Sequence, residues 1–204
     1  PKPPKPPLPP EIKPAQSSSL EKEIQSYCQK AESLFGKLPL KGFKTRLRVP
    51  IRIEDVYVPL RAMIDLRGIG NACFADSIEA EKCLRKAGID REISVPDAFR
   101  YTEKMNRRGV VILGDPGSGK TTHLKRLLLW CLRGGLGMLS LPEGIIPVFL
   151  PLRELKDLTK GIDAFIQDQL DRPHLETPEH FGKQLLDRGR LLFLFDGLDE
   201  VAEP

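Results

Sequence analysis

No stretch of the 204 residues is apolar for anything near the roughly 18 positions that a membrane-spanning helix needs, so no membrane partner is expected. Cysteine is scarce: Cys28, Cys73, Cys83 and Cys131 are scattered, and none forms a Cys-x-x-Cys pair. The three histidines, His123, His174 and His180, fall at no ligand spacing, so the sequence offers no zinc site. Scattered, unpaired cysteines suit a reducing compartment, and a cytoplasmic location is expected. The opening residues are proline and lysine rather than a basic start followed by an apolar core, so no secretory leader is read there. The chain begins without Met and stops at Pro204, a few residues after a very apolar stretch, and it reads as a fragment of a longer protein.

What is present fits a globular protein of one domain plus an appendage: 40% of residues are hydrophobic and 29% charged. The net charge of +4 is unevenly spread, because the first 50 residues hold ten Lys or Arg against four Glu. Lys37, Lys41, Lys44, Arg46, Arg48 and Arg52 fall in a stretch, 36 to 53, that has no acid. That stretch reads as a solvated face rather than a nucleic-acid patch, and nucleic acid is not expected as a partner.

Eight prolines in residues 1–14 rule out helix and sheet and give a stiff polyproline II linker, placed at 1–18. Ser18-Ser19-Leu20-Glu21 has the form of a capping box. Leu20, Ile24, Tyr27, Ala31 and Leu34 follow at helical spacing, predicting an amphipathic helix of about four turns that Gly36 can stop. It opens a helical and short-strand extension over 19–106. Val- and Ile-rich alternation over 46–58 predicts one or two short strands ended by Pro59. Gly68-Ile69-Gly70-Asn71 reads as a loop, Ser77 to Lys86 as a helix, and Val95 to about Asn106 as a helix with proline in its first turn.

From 107 to 204 the pattern changes. Val110 to Leu113 is a continuous apolar run, read as a strand. A helix follows from Gly119 to about Arg133, with Leu124, Leu127, Leu128, Cys131 and Leu132 as its buried stripe, and Gly134 and Gly135 end it. Ile145 to Leu150 and Leu191 to Phe195 read as two more buried strands, with helices at about 161–171 and 178–188 between them. Alternating apolar strands and helices predict an α/β fold with a parallel sheet covered on both faces. The expected class is a three-layer α/β fold with a parallel sheet, incomplete beyond its last strand and preceded by the small extension.

Between the first strand and its helix lies Gly114-Asp115-Pro116-Gly117-Ser118-Gly119-Lys120-Thr121, a match to G-x-x-x-x-G-K-[ST]. Glycines open backbone conformations closed to other residues, so that amides can point inward at an anion beside the positive end of a helix. Lys120 supplies a point charge for the β- and γ-phosphates, the Thr121 hydroxyl is a magnesium ligand, and Thr122 supports the α-phosphate. Five apolar residues, Leu191 to Phe195, lead to Asp196, a carboxylate that is costly at the end of a buried strand unless it meets a cation. Asp196 is therefore the expected partner of the magnesium ion. Gly197-Leu198-Asp199-Glu200 follows, and Asp199 and Glu200 are the candidate bases for polarising water, with Glu200 favoured.

These motifs together resemble the NACHT family of STAND NTPases. Asp196-Gly197-Leu198-Asp199-Glu200 is similar to that family's Walker B, in which a small residue follows the first aspartate and two acids come three residues on. Val111 to Thr122 resembles its phosphate loop, Ile146 to Leu155 its second-strand motif with Arg153, and Asp55-Val56-Tyr57-Val58-Pro59-Leu60 a segment that often precedes bacterial members. The likeness spans about residues 50–204. It implies a molecular switch that rests with ADP, exchanges it for ATP, hydrolyses slowly and forms homo-oligomers when activated. It also implies effector and sensor domains outside this stretch, and service in signal transduction or phage defence. Arg153 would lie near the nucleotide or a subunit interface, and Tyr57 to Pro59 would line the base pocket or pack as a plain strand. The family's ADP-binding histidine has no counterpart among the three here. A P-loop phosphotransferase and an AAA+-like remodelling ATPase are the alternatives. No arginine-rich lid supports the first, and the glycine after Asp196 counts against the second.

Overall fold

The computed structural model describes residues 14–38, 51–58, 61–63, 92–104 and 108–200. The expected loop at Gly68–Asn71 and helix at Ser77–Lys86 lie outside the described residues, as do most of the linker and the 39–50 part of the basic run. The chain divides into two compact units, Pro1–Phe35 with Leu155–Gly189 and Gly36–Glu154 with Arg190–Pro204. The units interleave along the sequence rather than follow it.

The first unit is helical. α1 spans Pro14–Phe35, α5 Gly161–Leu170 and α6 Phe181–Arg188. α1 begins at Pro14, a turn before the capping residues, and the Ser19 hydroxyl donates to Glu23 Oε1 at 3.1 Å instead of closing a helix start. Proline suits a first helical turn because its missing N–H has no intrahelical acceptor there. Tyr27 and Ala31 of α1 are buried, and the Tyr27 and Phe181 rings lie 5.7 Å apart. A Lys30–Glu176 ion pair of 2.6 Å joins the rim. α5 and α6 meet at Gly182, where a β-carbon would stand 2.8 Å from the Gln167 backbone.

The second unit holds three two-stranded sheets. β1 (Lys37–Leu38) and β2 (Ile51–Arg52) pair antiparallel, as do β3 (Arg61–Met63) and β4 (Glu92–Ser94). The strand expected to continue to Val58 instead turns helical at α2 (Ile53–Val56), with Ile53 fully buried. α3 covers Val95–Lys104, with Pro96 in its first turn. Ser94 caps it, its hydroxyl oxygen accepting from the Asp97 amide at 3.2 Å. α4 covers Lys120–Leu132, and Gly134 at φ 90° ends it as expected.

β5 (Ile146–Pro151) and β6 (Leu191–Asp196) form the parallel pair, in register from Ile146 against Leu191 to Pro151 against Asp196. β5 is buried along nearly its whole length, and α4 packs on both strands through a core that includes Leu127, Leu128 and Cys131. Full burial of each leucine contributes about 1.5–3 kcal/mol. The architecture is thus mixed α/β with small parallel and antiparallel sheets.

Two further expectations need correction. Val110–Leu113 is not a strand: it has no ladder partner among the described residues, and Val111 and Leu113 are 77% and 80% exposed. A continuous apolar run satisfies the sequence signal for a buried strand, but backbone N–H and C=O groups make a strand only where a second edge receives them. Nor is β6 covered on both faces, since Phe195 remains 43% exposed. No helix among the described residues is long and apolar enough to cross a membrane.

Candidate functional site

The glycine-rich segment enters α4 through a tight, open-sided loop. Gly117 and Gly119 sit at φ 80° and 89°, backbone that an L side chain adopts only with strain. The Ser118 amide donates to Asp115 O at 3.1 Å, closing the turn, and the His123 amide donates to Gly119 O at 2.9 Å, starting the helix. A β-carbon on Gly114 would approach the Ser118 hydroxyl to 3.1 Å. Asp115, Pro116, Gly117 and Ser118 are exposed, and Thr122 is half-buried. Lys120 Nζ reaches back across the loop, donating to Gly114 O at 2.5 Å and to Asp115 O at 3.0 Å. The ammonium is therefore held over the mouth of the loop rather than swung away from it.

The last residue of β6 comes to the same place. Thr121 Oγ1 donates to Asp196 Oδ1 at 2.9 Å, across 75 residues of sequence. Asp196 is half-buried at the carboxyl end of the parallel pair, the end at which α/β sheets bind ligands. Gly197 follows at φ 75°, and a β-carbon there would lie 3.2 Å from the Glu200 carboxylate carbon. Both facts call for glycine, which lets the chain fold into the turn Leu198–Glu200 that carries Asp199 and Glu200. Glu200 is exposed, and its amide donates to Gly197 O at 3.1 Å.

Arg153 stands on the turn Leu152–Glu154, directly after the Pro151 that is in register with Asp196, and this turn packs beside Leu198–Glu200. Its exposed side chain and Asp196 both act electrostatically on Lys125, one helical turn beyond Thr121. Burial pulls the Lys125 ammonium below its ordinary pKa, the Asp196 charge opposes that shift, and Arg153 adds to it. The Lys125 ammonium also lies 5.7 Å over the Phe149 ring. The sequence reading missed Lys125, although its place four residues after Thr121 puts both on one helix face.

A second cluster on α4 also went unread. His123 is only 6% exposed, and its Nδ1 shares a 2.7 Å hydrogen bond with the Tyr57 hydroxyl. The Arg126 guanidinium lies 4.2 Å over the Tyr57 ring, and Arg133 forms a 2.6 Å ion pair with Glu54. Burial holds the His123 imidazole below its ordinary pKa, and Arg126 adds to the shift. His123 Nε2 is buried with no hydrogen-bond partner among the described residues.

The donor set suits a hydrated magnesium ion held jointly with phosphates: a hydroxyl and a carboxylate converge, as such sites require, rather than an all-protein cage. Among the described residues no group of three or more His, Cys, Asp or Glu is gathered. A loop with glycines at positive φ, a helix start with its lysine, and an acid at the end of a parallel strand thus converge. A NACHT domain is identified at residues 108–204, consistent with a NACHT/STAND-family P-loop NTPase assignment for this segment. No curated protein and no solved structure gives a significant match to the chain.

Proposed function

We propose that residues 108–204 bind ATP and ADP with magnesium on the loop Gly114–Thr122, and that the chain is the nucleotide-dependent part of a signalling switch. The observation that carries this is the 2.9 Å contact between Thr121 Oγ1 and Asp196 Oδ1. Two oxygens that motif logic assigns to one hydrated cation meet across 75 residues of sequence. Magnesium, when bound, would neutralise phosphate charge. Thr121 and Asp196 would hold it. Inward-facing amides of the loop and the positive end of α4 receive the phosphates, and Lys120 adds a full charge. Asp199 and Glu200 are the groups for orienting an attacking water, with Glu200 favoured. Arg153 sits at the margin of the site, where a charge can meet the nucleotide or a neighbouring subunit. A full three-layer P-loop sheet, slow hydrolysis and homo-oligomerisation on activation belong to the same reading. So do effector and sensor domains, and a role in signal transduction or phage defence. All of these rest on membership in the NACHT family.

Titrating the chain with ADP and magnesium in a calorimeter tests the reading. Lys120→Ala removes a charge-assisted contact to phosphate, so affinity should fall about 100-fold or more. An unchanged affinity would sink the site assignment.

A further inference from the structure

Three contacts tie α2 and the residue after it to one side of α4 and to its C-cap residue. Tyr57 bonds His123, the Tyr57 ring carries Arg126, and Glu54 pairs with Arg133. At about 100° per residue, His123 and Arg126 fall within about 60° of one another on α4, and Arg133 is the residue that caps its C-terminal end. Thr121, Lys125 and Leu128 lie on another face, Thr121 bonded to the end of β6. Two different sets of contacts therefore fix the helix whose first turn carries the loop amides.

Among the described residues, the approach to the loop adds no such support. Residues 109–115 form no strand, and Val111 and Leu113 are largely exposed. The orientation of the cradle then depends on how α4 is held. His123 is the fourth residue of that helix, its amide bonds Gly119 O at 2.9 Å, and its ring is buried. It is the one point at which a side-chain hydrogen bond from outside the helix reaches the first turn on this face, among the described residues.

We propose that Tyr57 is a positioning residue for phosphate binding, acting through His123 to lock the first turn of α4 and the loop that feeds it. This rests on the nucleotide-binding reading above. It differs from a base-lining role for Tyr57: the hydroxyl is spent on His123 and one ring face is covered by Arg126. The ligand end affected is the polyphosphate, so a probe without a base should feel the change as strongly as a nucleotide.

The test uses the whole chain, with ADP and with inorganic pyrophosphate as separate probes, each with magnesium. Tyr57→Phe keeps the ring and deletes the hydroxyl. His123→Leu deletes the ring nitrogens, and His123→Asn returns an amide to the position of Nδ1. Loss of one buried hydrogen bond is worth about a five- to tenfold change in an equilibrium constant. Tyr57→Phe and His123→Leu should each weaken both probes by that factor. The double variant should be no weaker than either single change, because both remove one interaction. His123→Asn should recover most of the loss. If Tyr57→Phe binds both probes like wild type, or weakens ADP alone, the positioning role is overturned. Additive losses, or no recovery in His123→Asn, overturn it too. Should His123→Leu fail to fold, Tyr57→Phe and His123→Asn decide. Failure of the parent reading looks different: wild type and Lys120→Ala would then bind pyrophosphate alike.

Discussion

His123 stands one turn into α4 with one ring nitrogen bonded and the other enclosed without a partner, beside the positive Arg126. An imidazole so placed resists protonation, whereas in the unfolded chain it titrates near 6.5. Between the depressed folded value and 6.5 the unfolded chain binds more protons, so stability rises with pH across that window. The contribution is fully present above about 6.5 and is lost as pH falls toward the folded value. Urea midpoints measured at pH 7.5 and 5.5 check this, with His123→Asn as the control that cannot titrate. Wild type should lose more stability on acidification than the variant, and an equal loss would rule His123 out as the cause. Carboxylates common to both proteins cancel in that comparison. Cys131, buried on the same helix with its thiol pushed up to about 12, stays protonated and serves only to pack.

Among the elements, the contact of α5 with α6 allows the sharpest forecast. Alanine in place of glycine inside a helix usually gains about 1 kcal/mol. At Gly182 the added β-carbon would stand 2.8 Å from Gln167 Cα, 3.0 Å from its carbonyl oxygen and 3.2 Å from Leu170 Cβ. Two of these are backbone atoms, which cannot swing aside, and overpacking of this kind costs about 1–3 kcal/mol. The clash outweighs the propensity, so Gly182→Ala should lower the denaturation midpoint; a rise would show that the two helices slide apart freely. The same helices were legible beforehand, because Phe165, Ile166, Leu170, Phe181 and Leu185 recur at helical spacing and are buried. β5 and β6 were legible as apolar runs of strand length. What sequence could not decide was whether a run finds an edge. Val110–Leu113 has the composition of a strand and no partner among the described residues. The alternation over 46–58 is that of a strand, yet within it Ile53–Val56 becomes a helical turn that buries Ile53 and presents Glu54 to Arg133. The loop glycines, Lys120, Thr121 and Asp196 could be named as candidates from local chemistry alone, and the structure brings Thr121 and Asp196 to 2.9 Å of each other. Lys125, His123 and the pairing of Tyr57 with His123 escaped because they are set by neighbours 28 to 71 residues away.

Over the whole molecule, the site elements and the helical elements fall in separate compact units. A ligand that binds only the folded state at about 100 times its Kd adds about 2.7 kcal/mol of stability. Magnesium and ADP should therefore slow amide exchange in residues 114–132 and 191–200. α1, α5 and α6 should change least. Exchange measured by mass spectrometry decides this, and protection confined to α1, α5 and α6 would contradict the placement of the ligand.

The bond between Thr121 and Asp196 also carries a consequence for synthesis. A ribosome adds about 5–20 residues per second. The 75 positions separating the two side chains therefore take roughly 4–15 s to make. Through that interval a nascent chain holds its lysine and its glycine turn without the aspartate, and on the proposed reading it would gain the means to retain a metal-bound polyanion only once the sixth strand has left the exit tunnel.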